Sequence, residues 1–369
     1  MSTEADVFDT LVVGAGPAGL SAAAAAAEGG ARVLLVDDNP DIGGQYFRAR
    51  DAALTGRMQT MVVGELDAWR QRLASAKVQV ETATALWGFG ADDVAYLHSR
   101  PGNSISTVGC RTLVSAIGAR ELVRPFPGWT LPGVMTLGGC QSLMKSQGIL
   151  PGKRIALAGS GPFLWLVASQ MIEAGAHIVV VAEAAGRARI AGLGLASARV
   201  PALLAEGASF WQRIMRKAEH VRFGACVVSA EGEHELKQVQ IARLDRQGRP
   251  VAGSGESFDV DVLCSANGLV PNTDITMLAG CAHEYSAASG GPVALVDDFM
   301  ETSKPGIFAA GETTGIGGAD IAIEEGRRAA HGVLNRLGKP GHARAITASA
   351  TARRRQRVVD RFSELFASP

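Results

Sequence analysis

The chain is poor in aromatic side chains, which make up 5% of its 369 residues, and it has only five cysteines. It has no excess charge of either sign, since 36 basic residues balance 36 acidic ones. Each shortage excludes something. A neutral chain has no electrostatic reason to seek nucleic acid, so no nucleic-acid partner is expected. The most apolar long stretch, residues 155–185, is broken by Ser160, Gln170, Glu173 and His177, so no integral membrane segment is expected either. Cys110, Cys140, Cys226, Cys264 and Cys281 are widely spaced, with no CxxC or zinc-type pattern, which points to reduced thiols in a cytoplasmic protein. The opening MSTEADVFDT is acidic and polar, unlike a secretory signal. None of the seven histidines sits in a motif, and no metal-ligand or Ser/His/Asp spacing appears. No metal and no catalytic acid or base is therefore nominated.

What the chain has in abundance is glycine, 45 residues of it. Its length predicts about two domains. The first glycine cluster lies in TLVVGAGPAGLSAAAA, residues 10–25, where an apolar strand turns through Gly14, Gly16 and Gly19 into an alanine-rich helix. Asp37 follows 23 residues after Gly14, at the end of the next apolar strand. In such a βαβ unit the first glycine permits the tight turn and the second admits a pyrophosphate. The third lets helix and strand close, and the distal acid accepts ribose hydroxyls. A second unit recurs about 145 residues on, in KRIALAGSGPFLW and AHIVVVAEA. It keeps Gly159, Gly161 and Pro162 and places Glu183 at the distal position, but Leu164 stands where a small residue is expected. Glu183 disfavours the NADP phosphate.

Other features fill in the organisation. DIGGQYF brings a glycine pair close behind the first unit. Far downstream, GIFAAGETTGIGGAD reads as a strand, then Glu312, then a helix starting near Gly318. That helix would point its positive end at an electron-rich group. RPFPGWTLPGVMT, residues 124–136, carries three prolines and is predicted to be a linker. Residues 188–220 are predicted helical, and VRFGACVVSA with KQVQIARLD as paired strands. Trp165 is expected in core packing. Residues 346–369 alternate basic and apolar positions as an amphipathic helical tail.

Taken in order, GAGPAG…D, GGQ, LVSAIGA and PGIFAAGE resemble the two-dinucleotide-binding-domain flavoproteins, the family of glutathione, thioredoxin and ferredoxin reductases, over roughly residues 8–340. The resemblance implies an α/β fold with two Rossmann-like dinucleotide-binding domains. A discontinuous FAD domain would take residues 1–125 and 266–345, and a second, NAD-type domain residues 126–265. It implies FAD at Gly14, Gly16, Pro17, Ala18, Asp37, Asp38, Gly43, Gly44, Gln45, Leu86, Ala116, Gly118, Gly311, Glu312, Gly318 and Ala319. At Gly159, Gly161, Pro162 and Glu183 two readings stand: an NAD or other adenine-nucleotide site with altered packing, or a shell that binds no reactive nicotinamide, the second being favoured.

More narrowly, FPGWTLPGVMTLGG, GILPGKRIALAGSGP, NGLVPNT and GIGGADIAIEEGR resemble the FAD-carrying α subunits of heteromeric amine dehydrogenases. These include opine oxidases, hydrogen cyanide synthase and D-hydroxyproline dehydrogenase. Two departures matter. The cysteine pair that disulfide reductases keep beside the flavin is missing from the motifs, and the cysteine-rich [2Fe-2S]-type region of the α subunits does not appear before Pro369. No iron–sulfur cluster is therefore expected in this chain. The implied partners are a catalytic flavoprotein subunit together with a small iron–sulfur or cysteine-rich subunit. Two alternatives stay open: a self-contained NADH-dependent reductase of ferredoxin-reductase type, and a non-catalytic nucleotide-binding scaffold.

Overall fold

A computed structural model describes residues 7–48, 56–90, 94–190, 192 and 201–339. The tail expected over 346–369 lies outside the described residues. The chain divides into two compact units. The first takes in the stretch ending at Arg48, Met61–Arg120 and the stretch from Val270; the second is built on Glu121–Leu269.

The first unit is organised on a mixed sheet, parallel through β3, β2, β1 and β6 and antiparallel where β5 and β4 are added. Its strands are β1 (Val7–Val13), β2 (Val33–Val36), β3 (Gln79–Glu81), β4 (Thr84–Phe89), β5 (Val94–Ser99) and β6 (Ser104–Ser115), and they run in the order β3-β2-β1-β6-β5-β4. Strand β6 changes partners along its length. Ser104–Gly109 pair antiparallel with β5, whereas Leu113–Ser115 pair parallel with a strand far downstream, Ile307–Ala309. All four residues of β2 are buried, as expected for a strand covered on both faces. Helix α1 (Pro17–Glu28) follows β1, and α2 (Gly56–Ser75) precedes β3. Five of the seven alanines of α1 are buried, and their small side chains let a long helix, Ala319–Arg336, pack closely across it. At that crossing a Cβ on Gly326 would lie 2.1 Å from the Ala18 carbonyl oxygen. Only glycine fits there.

The second unit repeats the theme. Strands β7 (Val134–Thr136), β8 (Arg154–Gly159), β9 (His177–Glu183), β10 (His220–Phe223) and one over Val262–Ala266 form a five-stranded sheet with every pairing parallel. Helix α3 (Leu137–Gln147) follows β7, α4 (Pro162–Glu173) joins β8 to β9, and α5 (Pro201–Lys217) precedes β10. A three-stranded antiparallel sheet, over Ala225–Glu231, Gln238–Arg243 and Glu256–Asp259, packs against it through Ala225, Val239, Ile241 and Phe258.

Two expectations are corrected here. The proline-rich stretch 124–136 is not a free linker. Its end, Val134–Thr136, pairs with Leu263–Ser265 as the outer strand of the sheet, and a Cβ on Gly128 would lie 1.9 Å from the Ala230 carbonyl oxygen. Nor is 221–230 one strand. Gly224 takes a φ of +61°, so the chain leaves the parallel sheet after Phe223 and enters the antiparallel one at Ala225.

Candidate functional site

The first glycine turn is held by its own backbone. Gly14 donates to the Val36 carbonyl at 2.8 Å and Ala116 to the Val13 carbonyl at 2.8 Å, which ties the ends of β1, β2 and β6 together. A Cβ on Gly19 would lie 1.7 Å from the Gly14 carbonyl oxygen, so the third glycine is required for helix and turn to close. Helix α1 begins at Pro17 with Gly16 as its cap, and no side chain caps it. The orphan N–H groups of its first turn therefore remain available to an anion. Ala18 is buried, so it has only its main chain to offer such an anion. Asp37 is 6% exposed. One of its carboxylate oxygens accepts from the Ala15 N–H at 2.6 Å, and the other accepts from the backbone and side-chain amides of Asn39, each at 2.8 Å. Asp38 is exposed and faces Arg100 at 3.4 Å. The Asp37 carbonyl accepts from Thr84 N–H at 2.8 Å, which anchors β4 and sets the half-buried Leu86 two residues along it.

The second glycine pair docks on the first turn. Gly43 N–H donates to the Ala15 carbonyl at 2.7 Å, and a Cβ on Gly44 would sit 2.9 Å from the Gly16 Cα. Gln45 beside them is exposed, Ala116 is buried against the turn, and Gly118 has a φ of +71°. The result is a wall of main chain with no side chain between the two loops, the kind of surface a pyrophosphate needs.

The downstream part of the same unit joins this wall through β6. Ala310 N–H donates to the Ser115 carbonyl at 3.0 Å, which carries Gly311 and Glu312 to the same end of the sheet as Ala116. Gly311 N–H and the Thr314 hydroxyl both donate to Glu325, at 2.8 and 3.0 Å. Burial raises the Glu312 carboxyl, and it pushes Glu325 up to about 7. The helix over Ala319–Arg336 is capped by Gly318 with no side-chain cap, so it too presents bare N–H groups. The residues fit a dinucleotide cofactor on this chain's own geometry. Both helix starts are uncapped, a side chain at Gly44 would close the wall, and the buried Ser115 and Thr313 hydroxyls have no protein partner.

The second unit's turn differs. Gly161 caps α4 with a φ of 105°, where Gly16 has −76°. Leu164 is fully buried in the core formed with Leu157, Val167 and Ile178, so α4 does not close on its turn as α1 does. Glu183 is completely buried and heavily engaged. It accepts from the Ser160 hydroxyl at 2.8 Å, the Trp165 indole N–H at 2.7 Å, Ala185 N–H at 2.9 Å and, at 3.4 Å, Gly161 N–H. Burial raises its carboxyl, and these four donors oppose the shift. Trp165 packs against the core of the second unit, as expected, but has a polar partner and an aromatic stack besides. It is half-buried and stacks on Trp211 and Phe223, with ring centroids at 5.4 and 5.9 Å.

Sequence reasoning also missed two features. Glu325 falls on the apolar stripe formed by Ile321, Ala322, Gly326 and Ala329, and an acid in such a stripe is a readable signal. Cys140 and Cys264 are 124 residues apart, yet their sulfurs lie 2.9 Å from each other in the second unit's core. No spacing rule predicts that contact. Among the described residues no helix is long and apolar enough to cross a membrane, and no His/Cys/Asp/Glu group of three could hold a metal.

Residues 8–326 match the model of the pyridine nucleotide-disulphide oxidoreductase family. The chain is 32% identical over 341 residues to an opine oxidase subunit of Rhizobium meliloti, covering 90% of this chain and 72% of that one. It is 30% identical over 334 residues to hydrogen cyanide synthase subunit HcnB of Pseudomonas protegens, covering 90% and 71%. Among solved structures, it superposes on L-proline dehydrogenase from P. horikoshii with a TM-score of 0.66, at 18% identity and over 92% and 57% of the two chains. The thioredoxin reductase of T. acidophilum gives a TM-score of 0.65 at 18% identity, over 90% and 99%. At that identity the two structures speak to the fold alone.

Proposed function

Because this chain belongs to the pyridine nucleotide-disulphide oxidoreductase family, a flavoprotein oxidoreductase line, we propose that it is the FAD-carrying electron-transfer subunit of a heteromeric dehydrogenase. The complex would oxidise the C–N bond of a secondary amine or amino acid, of opine, D-hydroxyproline or glycine type. The observation that carries the reading is the side-chain-free wall between Gly16 and Gly44, flanked in the same unit by two uncapped helix starts.

FAD supplies the redox chemistry, taking up two electrons and handing them on. The residues of the chain bind and tune it. The first turn of α1 would take the pyrophosphate between Gly16 and Gly44, with Asp37 and Asp38 toward the adenosine ribose. Glu312 and the start of the helix at Gly318 and Ala319 would face the ribityl chain and the ring. Glu325 holds the loop from Gly311 to Thr314 in place from behind.

The named relatives support the subunit role, since the opine oxidase relative and HcnB are by name parts of larger enzymes. In the proposed complex a second flavoprotein subunit meets the amine, and a small iron–sulfur or cysteine-rich subunit completes the electron path. The test is co-expression with the neighbouring genes, followed by sizing and by dye-linked assay with opines and D-hydroxyproline. Activity is expected in a complex and not in the isolated chain. Oxidation of such a substrate by the chain alone, at the complex's rate, overturns the reading.

A further inference from the structure

The second unit presents a paradox. It has the sheet order, the glycine turn and the distal acid of a dinucleotide fold, and in such folds the acid at the end of the second strand accepts the adenosine ribose hydroxyls. Ligands of open parallel sheets bind outside the carboxyl ends of the strands. Gly159, Glu183 and Phe223 end three neighbouring strands there, and Glu183 and Phe223 are direct register partners. That end is already filled by the chain's own aromatic side chains.

The Trp165 indole N–H donates to Glu183 at 2.7 Å, as a ribose hydroxyl would, and the Ser160 hydroxyl takes the other carboxylate oxygen at 2.8 Å. The Trp165 ring stacks within 18° of parallel on Trp211 from α5 and within 14° on Phe223. Trp211 in turn stacks on Phe223 at 5.3 Å, and the Arg187 guanidinium lies over the Phe223 ring at 5.3 Å. A purine would find just such partners attractive, a flat ring below and a cation at hand. Here two indoles have taken both the hydrogen bond and the stacking surface. In the first unit the position corresponding to Trp165 is Leu20, which is fully buried, and neither oxygen of Asp37 takes a bond from it.

We propose that Trp165 is the specificity-determining residue that closes the second unit to adenine dinucleotides, its indole standing in for the adenosine on Glu183. A nucleotide would have to break the indole–carboxylate bond and part the stacked rings before it could bind. Because the inference concerns the second unit alone, flavin content serves as the separate readout for the first.

The experiment is calorimetric titration of the flavin-replete full chain with ADP-ribose, which carries the adenosine and pyrophosphate of the dinucleotide without its redox ring. Wild type, Trp165→Ala and Trp165→Phe are compared. Trp165→Ala vacates the ring and the hydrogen bond together and is expected to bind at least about tenfold more tightly than wild type, the equivalent of one hydrogen bond to a charged group. Trp165→Phe keeps a ring and removes only the N–H donor, so it is expected to fall between them, and it carries the comparison alone should the alanine variant not fold. Flavin content is expected to be equal in all three. Equal affinity in the three proteins, binding by none of them, or tightest binding by wild type overturns the proposal.

Discussion

Gly19 faces the carbonyl oxygen of Gly14 so closely that a Cβ would lie 1.7 Å from it. The contact fixes how the first helix meets its strand, and the second turn, with Leu164 at the matching position, is built differently. Gly19→Ala is therefore expected to push α1 off its turn, with loss of bound flavin and a destabilisation of more than about 2 kcal/mol, as is typical of overpacking in a close-packed site. Flavin absorbance per chain and thermal unfolding measure the two effects. A variant with wild-type flavin content shows that the turn does not cradle the cofactor.

The cofactor itself is expected to be FAD. Chromatography of the flavin released on denaturation distinguishes it from FMN, which would leave the Gly16–Gly44 wall and Asp37 without a role. Asp37→Ala removes the acceptor of three amide donors and is expected to weaken FAD retention at least about tenfold, since hydrogen bonds to a charged group contribute roughly 1.5–3 kcal/mol.

NADH and NADPH are expected to reduce the flavin slowly or not at all. Leu164 alters the second turn, and Glu183 is bonded to Ser160 and Trp165. Anaerobic stopped-flow mixing is the measurement. Bleaching at tens per second, a rate common for enzyme turnover, would favour a self-contained reductase.

Glu325 predicts a pH effect of definite sign. Its carboxyl stands at about 7 in the folded chain against an ordinary value of 4.5. Between those values the folded state holds a proton that the unfolded state has released. This group's stabilisation is therefore full below pH 4.5 and is lost as pH rises through about 7. Glu325→Gln keeps an acceptor for Gly311 and Thr314 and cannot ionise. Relative to wild type, it is expected to flatten the fall in melting temperature between pH 5 and pH 7 and to be the more stable protein at about pH 8. Parallel pH dependences for the two proteins contradict the assignment.

Much of the first unit was legible in the sequence because its determinants are local. A strand, a glycine turn, a helix and a distal acid lie within residues 7–37, and the loop chemistry around Gly311 and Gly318 is equally compact. The second unit was legible as a strand–turn–helix but not in its chemistry. Trp165, on an apolar helix, looks like any core residue until α5 brings Trp211 alongside and β10 brings Phe223. The Cys140–Cys264 contact and the strand hidden in the proline-rich stretch have the same origin, since each depends on pairing with residues more than a hundred positions away. Side-chain periodicity carries no information at that range.

Strand β6 has a consequence for the order of synthesis. Its first half pairs with its neighbour β5, and its second half with β1, as soon as these emerge from the ribosome, but the other edge of that second half waits for Ile307–Ala309. Glu121–Leu269, on which the second unit is built, are all made during that wait, so its sheets have the chance to fold while the first unit is still open-edged. Glu312 and Gly318 come later still. The proposed flavin site, which needs Glu312 and Gly318, is thus among the last parts of the described fold to close, and a nascent chain halted before Ile307 would carry the second unit's parallel sheet without it.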